Sequence, residues 1–461
     1  MSKLTVLIIS SNSETFPMPV YPLALPRLAG MIERAGHAAR QYDVLVHGAE
    51  SLPRVLQETR PDVVALSVRN VDNIDVEAPR TYIDDNRELI TMVRKHSKAP
   101  IVLGGSGFSL FPRQIMHLLE PDFGVVGPGE DAFRALLDAL SNGRTVEEIP
   151  NLITGDTLQG TRPGHELSPV FASDGTIGEG KHDPEMVRHY WREGGMIGLQ
   201  TKRGCPRRCS YCTYPLIDGR TLHYAEPQAS ADEMERLFRD YGVRYFFVVD
   251  SVFNLNAEHE LAFAEELCRR GLPLNWGAFF APTGADGAYW HTLKRSGLTH
   301  VELGTDSLSD TMLASYQKGF TVDEAMRTTA TCADVGLFCA HYIIFGGPGE
   351  TPDTIRETVA NAERLPRCVL FPFAGVRVYP RTSVYADAMR QGRITEEDDC
   401  LAPTFYFAEG LDARRAWEIL NEGTCHNHEW VMPSRYPTLE RMMRHLRRQG
   451  TKGPLWEFLL R

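Results

Sequence analysis

Met196-Ile197-Gly198-Leu199-Gln200-Thr201-Lys202 reads as a buried strand that runs straight into Arg203-Gly204-Cys205-Pro206-Arg207-Arg208-Cys209-Ser210-Tyr211-Cys212. Three thiols spaced C-x₃-C-x₂-C on one loop can converge on a single metal centre, and this loop leaves the end of a strand, where α/β folds bind ligands. A structural zinc site calls for four closed ligands. No fourth cysteine stands nearby, and His223 is the nearest histidine downstream. Three thiolates on a four-iron cluster would instead leave one iron open to a substrate or cofactor.

Outward from that loop the text alternates between strand and helix. Candidate strands over 196–202, 245–250, 275–280, 300–305, 338–345 and 375–379 are separated by helical patterns over 231–241, 257–270, 287–296, 321–335 and 351–365. Six βα units fit a partial barrel. Upstream, apolar runs over 4–9, 63–67, 101–104 and 123–126 alternate with helical patterns over 22–35, 84–95, 112–119 and 131–140. That alternation predicts a doubly wound parallel sheet whose ligand would sit at the strand exits, 10–15, 66–73, 104–109 and 127–130. A polar stretch rich in Gly, Pro, Asp and Thr reads as a linker. The expected division is 1–146, a linker over 147–190, a barrel over 191–390 and a mainly helical region over 391–461.

The chain has 461 residues, ample for several cores, and 60 acidic against 49 basic side chains give a net charge of −11. Such a balance disfavours nucleic acid or an anionic membrane as a general partner. No stretch approaches the roughly 20 apolar residues of a membrane span. The N-terminal apolar run, 4–9, is too short for a secretory signal, so the nine cysteines are expected to be reduced in the cytoplasm. The first 204 residues contain none of them. Cys425-His426-Asn427-His428 could suggest a metal, but adjacent ligands converge poorly, and the segment reads as part of a helical cap.

The cysteine loop, with aromatic Tyr211 before its last thiol, resembles the signature of radical S-adenosylmethionine (SAM) enzymes. Tyr21-Pro22-Leu23-Ala24-Leu25, Pro61-Asp62-Val63-Val64-Ala65-Leu66-Ser67 and Val102-Leu103-Gly104-Gly105 are similar to the cobalamin-binding N-terminal domains of that superfamily. Gly127-Pro128-Gly129-Glu130 resembles their Gly-Glu-Gly-Glu turn, with proline replacing one glutamate. The resemblance covers about 4–385. It implies an α/β architecture: a Rossmann-like, flavodoxin-like cobalamin-binding domain, then a partial (β/α)₆ radical SAM barrel and a small helical C-terminal region.

By that resemblance Cys205, Cys209 and Cys212 would hold a [4Fe–4S] cluster whose open iron binds SAM, and Tyr211 would lie against the adenine. Asp250, in Val249-Asp250-Ser251-Val252-Phe253, is a candidate near SAM, or equally a helix cap or loop carboxylate. Asp306, in Leu303-Gly304-Thr305-Asp306-Ser307, replaces the glutamate that commonly meets the SAM ribose. Gly347 and Pro348 belong to the glycine-proline turn after the fifth strand, and Arg381 stands where a sixth-strand turn usually has glycine. For cobalamin the implied contacts are Gly104, Gly105 and Ser106 toward the nucleotide tail, Gly127, Gly129 and Glu130, and Arg69 and Asn70 beneath the corrin. No histidine has aspartate two residues before it, so the Asp-x-His-x-x-Gly motif that ligates cobalt is missing.

The function implied is a cobalamin-dependent radical SAM methyltransferase acting on an unactivated carbon of a peptide, protein side chain or small molecule. One SAM would be cleaved reductively at the cluster to activate the substrate, and a second would recharge the cobalt. An external electron donor of the flavodoxin or ferredoxin type is implied. The alternative keeps the scaffold but performs cyclisation, rearrangement or carbon–carbon coupling without methyl transfer. An RNA methylthiotransferase would need a second cysteine set in the N-terminal domain, which is absent, and a non-catalytic cobalamin sensor would have no use for the three-cysteine loop.

Overall fold

A computed structural model describes residues 2–155, 177, 179–424 and 429–460. Thr5–Ser10 (β1), Ala38–Asp43 (β2), Val63–Ser67 (β3), Ile101–Gly104 (β4), Phe123–Val125 (β5) and Leu152–Ile153 (β6) form one sheet in the order β2-β1-β3-β4-β5-β6. All its pairs are parallel except β5–β6. Side chains alternate between faces. Val6, Ile8, Val63 and Ala65 enter one core, while Leu7, Ile9, Val64 and Leu66 enter the other. Helices Ala24–Arg34 and Glu130–Asn142 cover the first face, and Leu52–Thr59, Ile83–His96 and Pro112–Leu119 cover the second.

Two strands of this sheet differ from the sequence reading. β2 (Ala-Ala-Arg-Gln-Tyr-Asp) carries too few apolar residues to announce itself, because it is an edge strand paired only with β1. β6 falls inside the stretch read as a linker, and the helix Pro184–Glu193 begins inside it and runs past its end. Cys425-His426-Asn427-His428 lies outside the described residues.

The second sheet begins at Ile197–Leu199 (β7). A two-strand ribbon, Lys202–Arg203 (β8) with His223–Tyr224 (β9), brackets the cysteine loop. Tyr245–Val248 (β10), Asn275–Phe280 (β11), Leu298–Asp306 (β12), Phe338–Phe345 (β13) and Cys368–Ala374 (β14) complete six parallel strands in the order β14-β13-β12-β11-β10-β7. The sixth strand is therefore β14, not 375–379. Pro372 in its middle obscures the strand pattern but is tolerated, since β14 is an edge. The expected segment instead supplies Val376–Arg377 (β15), which pairs antiparallel with Phe405–Tyr406 (β16).

Outward residues of this open barrel, among them Phe246, Trp276, Phe280, Val301 and Ile343, are fully buried under the crossover helices and share one continuous core with the first sheet. Burying each large apolar side chain contributes about 1.5–3 kcal/mol. The C-terminal region bridges the barrel's two edges. Val431 donates its amide to Leu370 of β14 at 2.8 Å, and Gly453 donates to Gly195, just before β7, at 3.1 Å. Trp456 then reaches inward and donates Nε1–H to Glu302 of β12 at 3.2 Å. Among the described residues no helix is long and apolar enough to cross a membrane.

Candidate functional site

The cysteine loop is anchored on both sides before any metal is considered. Asp250, at the exit of β10 and almost fully buried, accepts the amides of Thr201 (2.8 Å) and Lys202 (3.1 Å), the Thr201 hydroxyl (2.6 Å) and the Lys202 ammonium (3.0 Å). It therefore grips the strand end that launches the loop. Further along, the Cys205 amide donates to Gly219 at 3.0 Å, the Cys212 amide to Cys209 at 3.2 Å and the Ser210 amide to Tyr316 at 3.0 Å.

Cys205, Cys209 and Cys212 are free thiols. Burial, then the proximity of Cys209 and Cys205, pushes the Cys212 thiol up to about 12, with the Tyr214 amide and Lys318 pulling the other way. Burial also raises Cys209. Thiols held this way are protonated unless a metal ionises them. Among the described residues no three His, Cys, Asp or Glu side chains stand close enough to hold one metal ion. A multi-iron cluster makes no such demand, because each thiolate takes a different iron. Three thiols on one loop, shielded from water and without a fourth ligand beside them in the sequence, suit that cluster.

Around the loop lies a compact charged group. Asp306 ends β12 with φ +63°, a left-handed conformation uncommon for a residue with a side chain. Its carboxylate accepts the Tyr211 hydroxyl and pairs with the buried Lys318 ammonium, which also lies 3.3 Å from the Tyr211 hydroxyl. Lys318 was not anticipated from sequence; nothing in Tyr316-Gln317-Lys318-Gly319 signals that the chain doubles back onto β12. Gly346 (φ +95°) opens the turn containing Gly347 and Pro348, and a Cβ on Gly347 would meet the Tyr316 hydroxyl at 2.3 Å. Glu350 folds back beneath that turn, accepting the Gly346 amide at 3.3 Å, and burial lifts its carboxyl to about 7.

The strand exits of the first sheet have a different character. Asn70, after β3, donates to Asn12, after β1, at 3.4 Å. Gly105 has φ +100°, and a Cβ there would meet the Val68 carbonyl at 2.6 Å, so only glycine lets β4 turn this close to β3. Gly104 precedes it, and a Cβ there would meet the Val125 carbonyl at 3.7 Å, an ordinary contact. Ser106 donates to the Arg69 carbonyl at 2.8 Å, and Gly127 donates its amide to Ser109 at 2.9 Å. Gly129 caps the helix that begins at Glu130. Arg69 pairs with no carboxylate among the described residues; burial lowers its guanidinium from its ordinary range, and its electrostatic neighbours are the phenols Tyr214 and Tyr190.

These exits face the cysteine loop. Glu130, expected at cobalamin, receives both arms of Arg203, at 3.0 and 2.5 Å, and so bonds the strand that precedes Cys205. Burial opposes its charge, but the Arg203 guanidinium holds its carboxyl at about 2. Arg381, on the barrel side, keeps φ +69°, the conformation glycine favours, and donates to the Ser109 carbonyl at 3.3 Å. Helices Ser106–Leu110 and Tyr214–Ile217 pack together across the same junction.

Below the mouth, the barrel's inward residues are aromatic. Phe247 and Phe279 meet at 5.0 Å, Phe279 and Tyr342 at 5.9 Å, and Tyr342 stacks nearly parallel to Phe371 (5.2 Å, 18°) and Phe373 (6.2 Å, 19°). Unlike their outward neighbours these rings stay partly exposed, Phe373 at 38%, so they line a hollow. Glu302 lies among them, accepting the Tyr342 hydroxyl at 2.6 Å, and burial raises its carboxyl.

Two family models match the chain in these two halves: the B12 binding domain over 11–137 and the radical SAM superfamily over 199–362. The radical SAM methyltransferase TsrM from Kitasatospora setae, solved with tryptophan substrate and a SAM analogue, superposes with a TM-score of 0.86 at 25% identity, covering 99% of this chain and 98% of that one. The chain belongs to the cobalamin-binding radical SAM enzymes. Among curated relatives of this radical SAM enzyme, the tryptophan 2-C-methyltransferase of Streptomyces laurentii is 26% identical over 443 residues, 82% of this chain and 74% of that protein. The anaerobic magnesium-protoporphyrin IX monomethyl ester cyclase of Cereibacter sphaeroides is 26% identical over 363 residues, 74% of this chain and 56% of that protein. The enzyme's cofactors are accordingly a [4Fe–4S] cluster, SAM and cobalamin.

Proposed function

We propose that this radical SAM enzyme methylates a carbon of a flat aromatic substrate bound in the barrel. The observation that carries the reading is the opposition of the three-thiol loop to the first sheet's strand exits, in a barrel whose inward face carries the partly exposed rings of Phe247, Phe279, Tyr342, Phe371 and Phe373. Aromatic rings favour offset-stacked partners, and the related TsrM was solved with tryptophan.

Cys205, Cys209 and Cys212 would hold the cluster. Tyr211, Asp306, Gly347 and Pro348 would border SAM, and Gly104, Gly105, Ser106, Asn70, Gly127 and Gly129 would cradle cobalamin with Arg69 beneath it. When bound, these groups supply one-electron reduction and methyl transfer, which amino-acid side chains cannot. The chain's own part is placement. Asp250 fixes the launch of the cysteine loop, the Glu130–Arg203 pair ties the two mouths together, and Arg69 would present to the bound cofactor a cation that cannot serve as a lone-pair ligand. The exposed Arg208 and Arg220 beside the thiols would receive an acidic electron donor of the flavodoxin or ferredoxin type. A reducing compartment such as the cytoplasm suits the free thiols.

Incubation with SAM carrying a deuterated methyl group tests the reading. Labelled product with S-adenosylhomocysteine in proportion is expected. Substrate turnover without S-adenosylhomocysteine would support the second reading, cyclisation or coupling without methyl transfer, which the cyclase relative brings forward.

A further inference from the structure

Lys318 has no role in the reading above, yet it is among the most deliberately placed side chains in the molecule. Its side chain retains 8% exposure, so its ammonium has been stripped of water, a costly state unless a partner compensates. Asp306 is that partner, and the rings of Tyr211 and Phe320 lie 5.8 Å from the same nitrogen. The backbone around it is tied to the cysteine loop at two points. Arg207, between Cys205 and Cys209, donates to the Lys318 carbonyl at 2.7 Å, and Ser210, between Cys209 and Cys212, donates its amide to Tyr316 at 3.0 Å. The loop that carries the thiols therefore also carries the ammonium.

The ammonium stands 3.3 Å from the hydroxyl of Tyr211, the residue just before Cys212, so the buried cation lies at the edge of the cysteine loop. A cluster held by three thiolates is negative and becomes more so on reduction, so a fixed buried cation at this edge favours the reduced form. Net charge and burial are among the terms that set such potentials.

We propose that Lys318 is a positioning residue that serves as the buried counter-charge of the cluster, raising its reduction potential while holding Asp306 and Tyr211 in place. This rests on the assignment of Cys205, Cys209 and Cys212 to a four-iron cluster.

The test is a redox titration of the reconstituted holoenzyme, followed by electron paramagnetic resonance, with iron content measured alongside. In Lys318→Met the ratio of reduced to oxidised cluster at a fixed potential should fall about tenfold, equivalent to about 59 mV for a one-electron couple. Lys318→Met leaves Asp306 buried and unpaired, so Lys318→Met/Asp306→Asn is the second variant, with a smaller shift in the same direction. A wild-type potential in either variant at full iron content would overturn the proposal. Loss of iron from both would assign Lys318 to cluster assembly and overturn it equally. If the wild-type protein itself takes up no four-iron cluster, it is the cysteine assignment that fails.

Discussion

The two mouths that face each other in this enzyme are built on opposite principles. The first sheet offers mainly backbone: Gly105 lets β4 turn against Val68, Asn12 and Asn70 are neutral, and Arg69 pairs with no carboxylate among the described residues. The barrel offers charge already cross-linked: Asp250 with Lys202, Asp306 with Lys318 and Tyr211. A surface of glycines and amides suits a large preformed ligand that brings its own functional groups. A buried ionic network suits a small reactive centre, where each charge must be in place before the chemistry because desolvated groups are costly to rearrange.

That contrast can be broken at several points. The largest effect belongs to the thiols. Replacing Cys205, Cys209 and Cys212 together by alanine should abolish cluster absorbance and SAM cleavage while cobalamin binding persists, since the two ligand sets lie on different sheets. Full iron in the triple variant would end the cluster assignment. Next comes Arg69→His, which places a lone pair where a guanidinium stood. Turnover should slow more than cobalamin affinity falls, and the cob(II)alamin resonance should gain nitrogen coupling; an unchanged spectrum with wild-type turnover would make Arg69 a bystander.

The pair between the mouths should matter less and depend on pH. Glu130 sits at about 2 in the fold against an ordinary 4.5. A depressed carboxyl stabilises the folded state above its unfolded value, and that contribution is lost as the pH falls through the folded one. Glu130→Gln should therefore unfold earlier than wild type at pH 7 by urea titration, and the gap should narrow progressively below about 4.5. A gap that stays constant down to pH 3 would show that the pair carries no linkage. The smallest effect is expected at the hollow's rim. Phe373→Ser removes one exposed ring, and KM for an aromatic substrate should rise several-fold with kcat little changed; a fall in kcat alone would place the substrate elsewhere.

Much of this site was legible because chemistry that needs fixed spacing leaves it in the chain. Cys205, Cys209 and Cys212 share one loop, Gly346 through Gly349 share one turn, and Gly105 stands where β4 must pass close to β3. Asp250 and Glu130 were legible as important positions. What they bond was not, because Thr201, Lys202 and Arg203 lie 49, 48 and 73 residues away.

The limits follow the range of the interactions. Alternation of apolar runs with helical periods was enough to determine two successive α/β units, since both signals repeat within a few residues and reflect local geometry. Strands β2 and β14 escaped because edges are half-covered and tolerate polar residues and proline, which erases the periodic signal. Which carboxylate meets which cation, that the C-terminal segment joins the barrel's edges, and that Lys318 returns beneath Tyr211 were decided only by tertiary structure. Each depends on the angle at which packed layers meet, and no local stretch of sequence contains that angle.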